Sequence, residues 1–260
     1  MMRALLRLVS WSMAVVVLAP IVLVVWMSFT PTRLFGNVPV SDFSLRWYRE
    51  VFSYDAFVDS ATLSLGLAAL AALGAVLLGF LAAYGIVRYE FRGRQAMMLL
   101  FTSPLVVPAV VFGIAMLQFV NRLGLYNSFG ALVATHIVVV TPFAIRTLEA
   151  SLRGIGPELE WAAMSLGARP ARALWRITVP LALRGIVAAF LLSFLMSFSE
   201  VTVTLFMTGP AHQTLPVRIF NYVSDRIDPT VAAVSALIIA LTLALVFVLN
   251  LIGGLRQLAK

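Results

Sequence analysis

Gly156–Pro180, GPELEWAAMSLGARPARALWRITVP, is the longest polar-bearing interruption on one side of an otherwise apolar chain. Pro157 suits a first helical position, and Glu158 and Glu160 in the first turn complement the positive end of a helix dipole. Leu159, Ala162, Ala163 and Leu166 recur at steps of 3, 4 and 7, the spacing of one helix face. Gly167 predicts where this short helix stops. A second helical run is predicted from Ala171 to Ile177, after which Pro180 leads into a long apolar segment. Two readings of such an amphipathic helix stand open: an element lying at a membrane surface, or a knob that docks into a partner.

The sequence on either side sets the fold class. Of 260 residues, 62% are hydrophobic and 12% charged, whereas a soluble domain is about half apolar and about a quarter charged. The excess lies in long runs, and about 20 apolar residues suffice to cross a bilayer. Six runs qualify, at about residues 8–29, 61–87, 97–119, 129–148, 181–207 and 230–252. The expectation is an all-α polytopic membrane protein with six transmembrane helices, forming one domain over residues 1–260, with the polar loop at 150–180. The first run is longer than a signal-peptide core and ends without a small-residue cleavage site, so it reads as an uncleaved helix. Trp47, Val51 and Tyr54 share helical spacing and predict an interfacial helix, since Trp and Tyr favour the membrane boundary. Ala71, Ala75, Gly79 and Ala83 leave one face of the second span bare for close helix packing. Pro104 and Pro108 predict a kink or break in the third. His136 in the fourth reads as a hydrogen-bonded contact between helices, because a metal site needs several ligands.

Charge separates the sides of the membrane. The net charge is +8, and all basic residues but Lys260 are arginines. They sit singly or in short clusters between apolar runs, as topology-setting charges do, and no nucleic-acid-binding motif accompanies them. With the N-terminus inside, thirteen of the nineteen fall on the inner side and six outside. Both termini and the 150–180 loop are therefore expected in the cytoplasm. The chain has no cysteine, which excludes disulfides and thiol chemistry. A phosphate-binding loop requires an internal lysine, so ATP hydrolysis by that route is excluded. No nucleophile elbow, metal-binding pair or paired intramembrane carboxylates appear, which argues against an enzyme. A self-contained secondary transporter or channel would need coupling carboxylates in several spans.

The loop resembles that of the permease subunits of ABC importers, which carry E-A-A, three residues, Gly, nine residues and I-x-L-P. Ala162, Ala163, Gly167, Ile177 and Pro180 hold that frame, with Val179 for the Leu. Trp161 occupies the position of the motif's Glu, with Glu160 and Glu158 the nearest carboxylates. The resemblance implies an importer-permease (MetI-like) architecture whose loop helix, here Glu158 to Gly167, is a coupling helix seated on an ATPase. Trp47-Tyr48, SFSEVTVTLFMTGP (Ser197–Pro210), TLPVRIF (Thr214–Phe220) and DPTVAAVSALI (Asp228–Ile238) narrow it to the spermidine/putrescine type, over roughly residues 28–245. It implies half of a translocation pathway in a bacterial inner membrane. The implied partners are a second permease, two ATP-binding subunits holding ATP and Mg, and an external solute-binding protein; this chain itself holds no cofactor. The implied solute is a small organic cation, a polyamine first, with opines, amino acids and aminophosphonates as alternatives within the same group.

Glu200 is the one carboxylate in the middle of a predicted span, and such groups are costly and functional by default. Ser193, Ser197, Glu200 and Thr204 are spaced 4, 3 and 4, so on a continuous helix they line one face. A polar stripe with one negative charge suits the path of a cationic solute. The competing reading is a hydrogen bond or ion pair between helices.

Overall fold

The computed structural model describes residues 2–33, 42–209, 212–226 and 228–253; Pro210, Arg256 and Lys260 lie outside them. All regular structure among the described residues is helical. Five helices are long and apolar enough to cross a bilayer, and a bent pair makes a sixth crossing if counted as one span. The chain divides into two compact units.

The first unit comprises Met1–Asp59 and Arg218–Ala244. Helix α1 (Met2–Met27) is followed by α2 (Arg46–Ser53), the predicted interfacial helix. Trp47 and Val51 of α2 are buried, whereas Tyr54 is exposed and ends the helix. The Trp47 indole N–H donates to the Thr30 carbonyl at 2.7 Å, and the Ser28 and Tyr48 hydroxyls meet at 2.6 Å. A buried indole needs such an acceptor, so these bonds fix α2 against the end of α1. At the start of α12 (Thr230–Gly253), Asp228 accepts from the Thr230 N–H at 2.8 Å. It also accepts at 2.7 Å from the hydroxyl of Tyr222, near the end of α11 (Leu215–Asp225).

The second unit comprises Ser60–Val217 and Leu245–Lys260. Helix α3 (Asp55–Arg88) contributes Ala71, Ala75, Phe80 and Ala83 to a buried cluster with Val140, Ala144, Leu148 and Leu152 of α6 (Phe129–Arg153). Ala182 and Ala189 of α9 (Val179–Phe198) complete it. The small-residue face of the second span is thus a packing face, as its spacing predicts. Without a hydrophobic drive between helices in lipid, close approach of backbones supplies the contact energy.

The third predicted span is broken. Helix α4 (Arg94–Thr102) and a 3₁₀ turn at Ser103–Leu105 meet α5 (Ala109–Arg122) at 97°. Pro104 lies in the turn and Pro108 precedes α5; each lacks the N–H that a continuous ladder would use. At about 1.5 Å per residue neither half alone crosses a core of about 30 Å. A second cluster, with Leu67, Val120, Leu132, Val203 and Met207 buried, joins α5 to α10 (Thr202–Met207).

Gly185 marks a close approach of α9 to α6, since a Cβ there would overlap the side chain of Ser151, Cβ included. Gly185→Val is therefore expected to push the two helices apart and destabilise the fold by about 1–3 kcal/mol, read as a lower melting temperature in detergent. A Cβ added at Gly66 would stand in open space, with nothing within 4 Å, so Gly66→Ala should leave that temperature unchanged or raise it.

Candidate functional site

The loop folds as two helical pieces. Helix α7 (Glu158–Ser165) starts after Pro157, whose carbonyl accepts from the Glu160 and Trp161 N–H groups, both at 3.1 Å. It ends in a Schellman turn: Gly167 N–H donates to Met164 at 2.9 Å and Ala168 N–H to Ala163 at 3.0 Å. This turn needs the left-handed φ of +89° that Gly167 adopts, a conformation that favours glycine. Pro170 then opens α8 (Pro170–Ala173), and a π-helical turn at Leu174–Thr178 runs directly into α9. In that turn the Val179 N–H reaches back five residues to the Leu174 carbonyl. Pro180 follows and has no N–H to give, so the wider register meets the proline without a ladder of the ordinary kind.

The apolar stripe on α7 faces outward. Leu159, Trp161 and Leu166 are 50%, 59% and 89% exposed; Ala162 is exposed and Ala163 half-buried. Glu158 and Pro180 are exposed and Ile177 is half-buried. The polar residue is the one that turns in. Glu160 is buried, and its Oε1 accepts from Arg88 Nε at 2.8 Å and from Thr178 Oγ1 at 2.6 Å. Its Oε2 accepts from the Tyr84 hydroxyl at 2.8 Å. Arg88 Nη1 also donates to the Ile155 carbonyl at 3.0 Å. One carboxylate on α7 thereby meets α3 and the turn leading into α9.

Tyr84, Arg88 and Thr178 are functional candidates that sequence reasoning did not single out. The available signal was that Tyr84 and Arg88 stand four apart and so share one face at the end of α3. Nothing local pointed to Thr178.

The predicted substrate-path residues are not on one helix. Helix α9 ends at Phe198 and α10 begins at Thr202, so the run expected to reach residue 207 is interrupted at Glu200. Its Oε1 accepts the Val203 N–H at 2.7 Å, the bond of a residue capping a helix start. Ser197 and Thr204 are still brought together, on His136: Nδ1 lies 2.8 Å from Ser197 Oγ and Nε2 lies 3.0 Å from Thr204 Oγ1. His136 is a hydrogen-bonded contact between helices, as read from the sequence. Ser193, Ser197 and Thr204 are buried, and the Ser193 hydroxyl has no partner among the described residues. Only Glu200 of the four keeps substantial exposed surface.

Burial works to raise the Glu160 carboxyl above its ordinary value of 4.5, but the bonds from Thr178 and Tyr84 and the Arg88 charge outweigh it and hold the group lower. A depressed carboxylate contributes stability that is complete above the unfolded value and fades as pH falls through the folded one. Below pH 4.5, the melting temperature of the wild-type chain should fall more steeply than that of Glu160→Gln. At neutral pH the variant should be the less stable, since it leaves Arg88 buried without its counter-charge; loss of one partner of a buried pair costs about 3–5 kcal/mol.

Comparison with known proteins places this arrangement. Residues 75–255 match the family model described as binding-protein-dependent transport system inner membrane component. The spermidine/putrescine transport system permease protein PotC of Haemophilus influenzae is 33% identical over 233 residues, 90% of each chain. The putrescine transport system permease protein PotI of Escherichia coli is 33% identical over 229 residues, 85% of this chain and 80% of that one. The trehalose transport system permease protein SugB of Mycobacterium tuberculosis is 29% identical over 252 residues, 92% and 91% of the two chains. Among solved structures, a bacterial ABC transporter that imports alginate superposes with a TM-score of 0.70 at 16% identity, covering 97% of this chain and 95% of that one. The MetNI methionine transporter in an inward-facing conformation gives 0.60 at 19% identity, covering 76% and 95%. The chain therefore belongs to the family of binding-protein-dependent transport system inner membrane components, multi-pass permeases of the bacterial inner membrane.

Proposed function

We propose that this permease forms half of the translocation pathway of an ATP-driven importer for a polyamine. The observation that carries the coupling is α7, a short helix with Leu159, Trp161, Ala162 and Leu166 turned outward while Glu160 holds it from within. A soluble surface does not normally display such residues on a helix fixed so firmly; a partner that buries them is the natural occupant. That partner is an ATP-binding subunit, which supplies ATP and Mg and drives alternating access through residues 157–177. Two such subunits, a second permease of different sequence and an external solute-binding protein complete the assembly. Both termini lie in the cytoplasm, on the side to which most of the arginines are assigned.

The polyamine reading draws on the names of the PotC and PotI relatives and on Glu200, a half-exposed carboxylate at the break between α9 and the short helix α10. A cationic solute gains from a negative charge there, whereas a neutral sugar such as the one in the name of the SugB relative has no use for it. Ser197 and Thr204 serve this path by holding the α9–α10 break in place through His136, and Ser193 lies buried one turn before Ser197.

Trp161→Asp or Leu166→Asp is expected to abolish co-purification of the ATP-binding subunit from native membranes while the permease keeps its own melting temperature. Glu200→Gln retains an acceptor for the Val203 N–H and removes only the charge. Spermidine uptake should fall at least about tenfold, as loss of a charged hydrogen bond worth about 1.5–3 kcal/mol implies. Unchanged uptake at equal expression would remove Glu200 from the path.

A further inference from the structure

The hydrogen bonds around Glu160 do more than satisfy a buried carboxylate. Arg88 and Glu160 side chains are 8% and 9% exposed, and desolvating two charges is so costly that a hydrophobic pair of equal volume is often as stable or more so. The arrangement is also incomplete, since Arg88 Nη2 is buried with no acceptor among the described residues. Its geometry supplies what stability does not. Tyr84 and Arg88 stand on the last turn or so of α3, Thr178 stands in the π turn that becomes α9, and Arg88 also holds the Ile155 carbonyl beyond α6. The end of α3 and the turn leading into α9 thus converge on one side chain of α7, Arg88 ties in the chain just past α6, and the rest of α7 is largely exposed.

We propose that Tyr84, Arg88, Glu160 and Thr178 form a latch that makes α7 and the adjoining ends of α3 and α9 move as one body, so that a displacement of α7 reaches the membrane helices. This rests on the reading of α7 as the ATPase-docking element. The four residues are positioning residues within the permease: Glu160 faces its own chain, and the surface offered to the partner belongs to its neighbours on α7. Charge-assisted and multidentate bonds suit this task because they fix direction as well as distance, which apolar contacts between an eight-residue helix and its support would not.

The test uses the whole complex purified with its ATPase. Two variants are compared with wild type: Tyr84→Phe, which deletes one oxygen and keeps the ring, and Arg88→Met/Glu160→Met, which replaces the ion pair by apolar side chains. Hydrogen exchange in residues 60–88 and 179–198 is measured without nucleotide and with ATP trapped. Trapping is expected to change protection in both segments of the wild type, and this response should be lost in the variants although the ATPase still co-purifies. Spermidine taken up per ATP hydrolysed should fall at least about fivefold, the low end of typical coupling between sites. A merely structural role predicts that the double variant, once folded, responds to ATP as wild type does, and that result overturns the latch. So does a wild type that shows no response, or a Tyr84→Phe protein that loses its ATPase. Tyr84→Phe decides the matter if the double variant does not assemble. A wild-type permease that binds no ATPase at all defeats the docking reading itself, a failure visible before any variant is made.

Discussion

A carboxylate enclosed by protein is tolerated only when donors replace the water it has lost, and Glu160 has three of them on its two oxygens. This requirement organises the end of the second unit that carries the 150–180 loop. Tyr84 and Arg88 must emerge from α3 on one face, Thr178 must turn toward α7, and α7 must end where Gly167 ends it. Moving any one of these elements would strand a charge. The loop helix is consequently fixed by directional bonds at a place where its apolar surface contributes little to holding it.

The membrane helices beneath meet a different demand. Ala71, Ala75, Ala83, Ala144, Ala182 and Ala189 are fully buried, so α3, α6 and α9 touch nearly backbone to backbone. Dispersion between such close surfaces, rather than removal from water, holds them. Close packing of this kind resists bending, which lets a constraint applied at one end of a helix be felt along its length.

The sequence made the helical class, the close-packed face of α3 and the proline break legible, because each follows from local chemistry: long apolar runs, small residues every fourth position, and prolines without N–H groups. The two ends of α7 were legible for the same reason, in Pro157 and Gly167. What was not legible is which way α7 faces. Apolar residues ordinarily mark the inward side of a helix, and here Leu159, Trp161 and Leu166 are exposed while Glu160 is buried; periodicity gives a stripe but not the side to which it turns. Glu200 illustrates another limit. The spacing of Ser193, Ser197, Glu200 and Thr204 fits one helix face only if the helix continues, yet the Glu200 side chain itself caps the next helix. His136 gathers two of those residues from 61 and 68 positions away, a separation that no local pattern encodes.

The π turn at Leu174–Thr178 gives the spacing of the loop an angular meaning. An α-helix advances about 100° per residue, whereas a π turn, whose bonds reach back five residues, holds one residue more in about the same rotation, so removing one residue from this turn would restore the ordinary repeat and leave the segments on either side in nearly the same angular relation. The same deletion in the ordinary ladder of α9 would instead turn Thr178 and everything before it by about 100°. The nine residues between Gly167 and Ile177 therefore include a length buffer, a turn that carries one residue more than a regular ladder needs while keeping the bearing of the loop on α9.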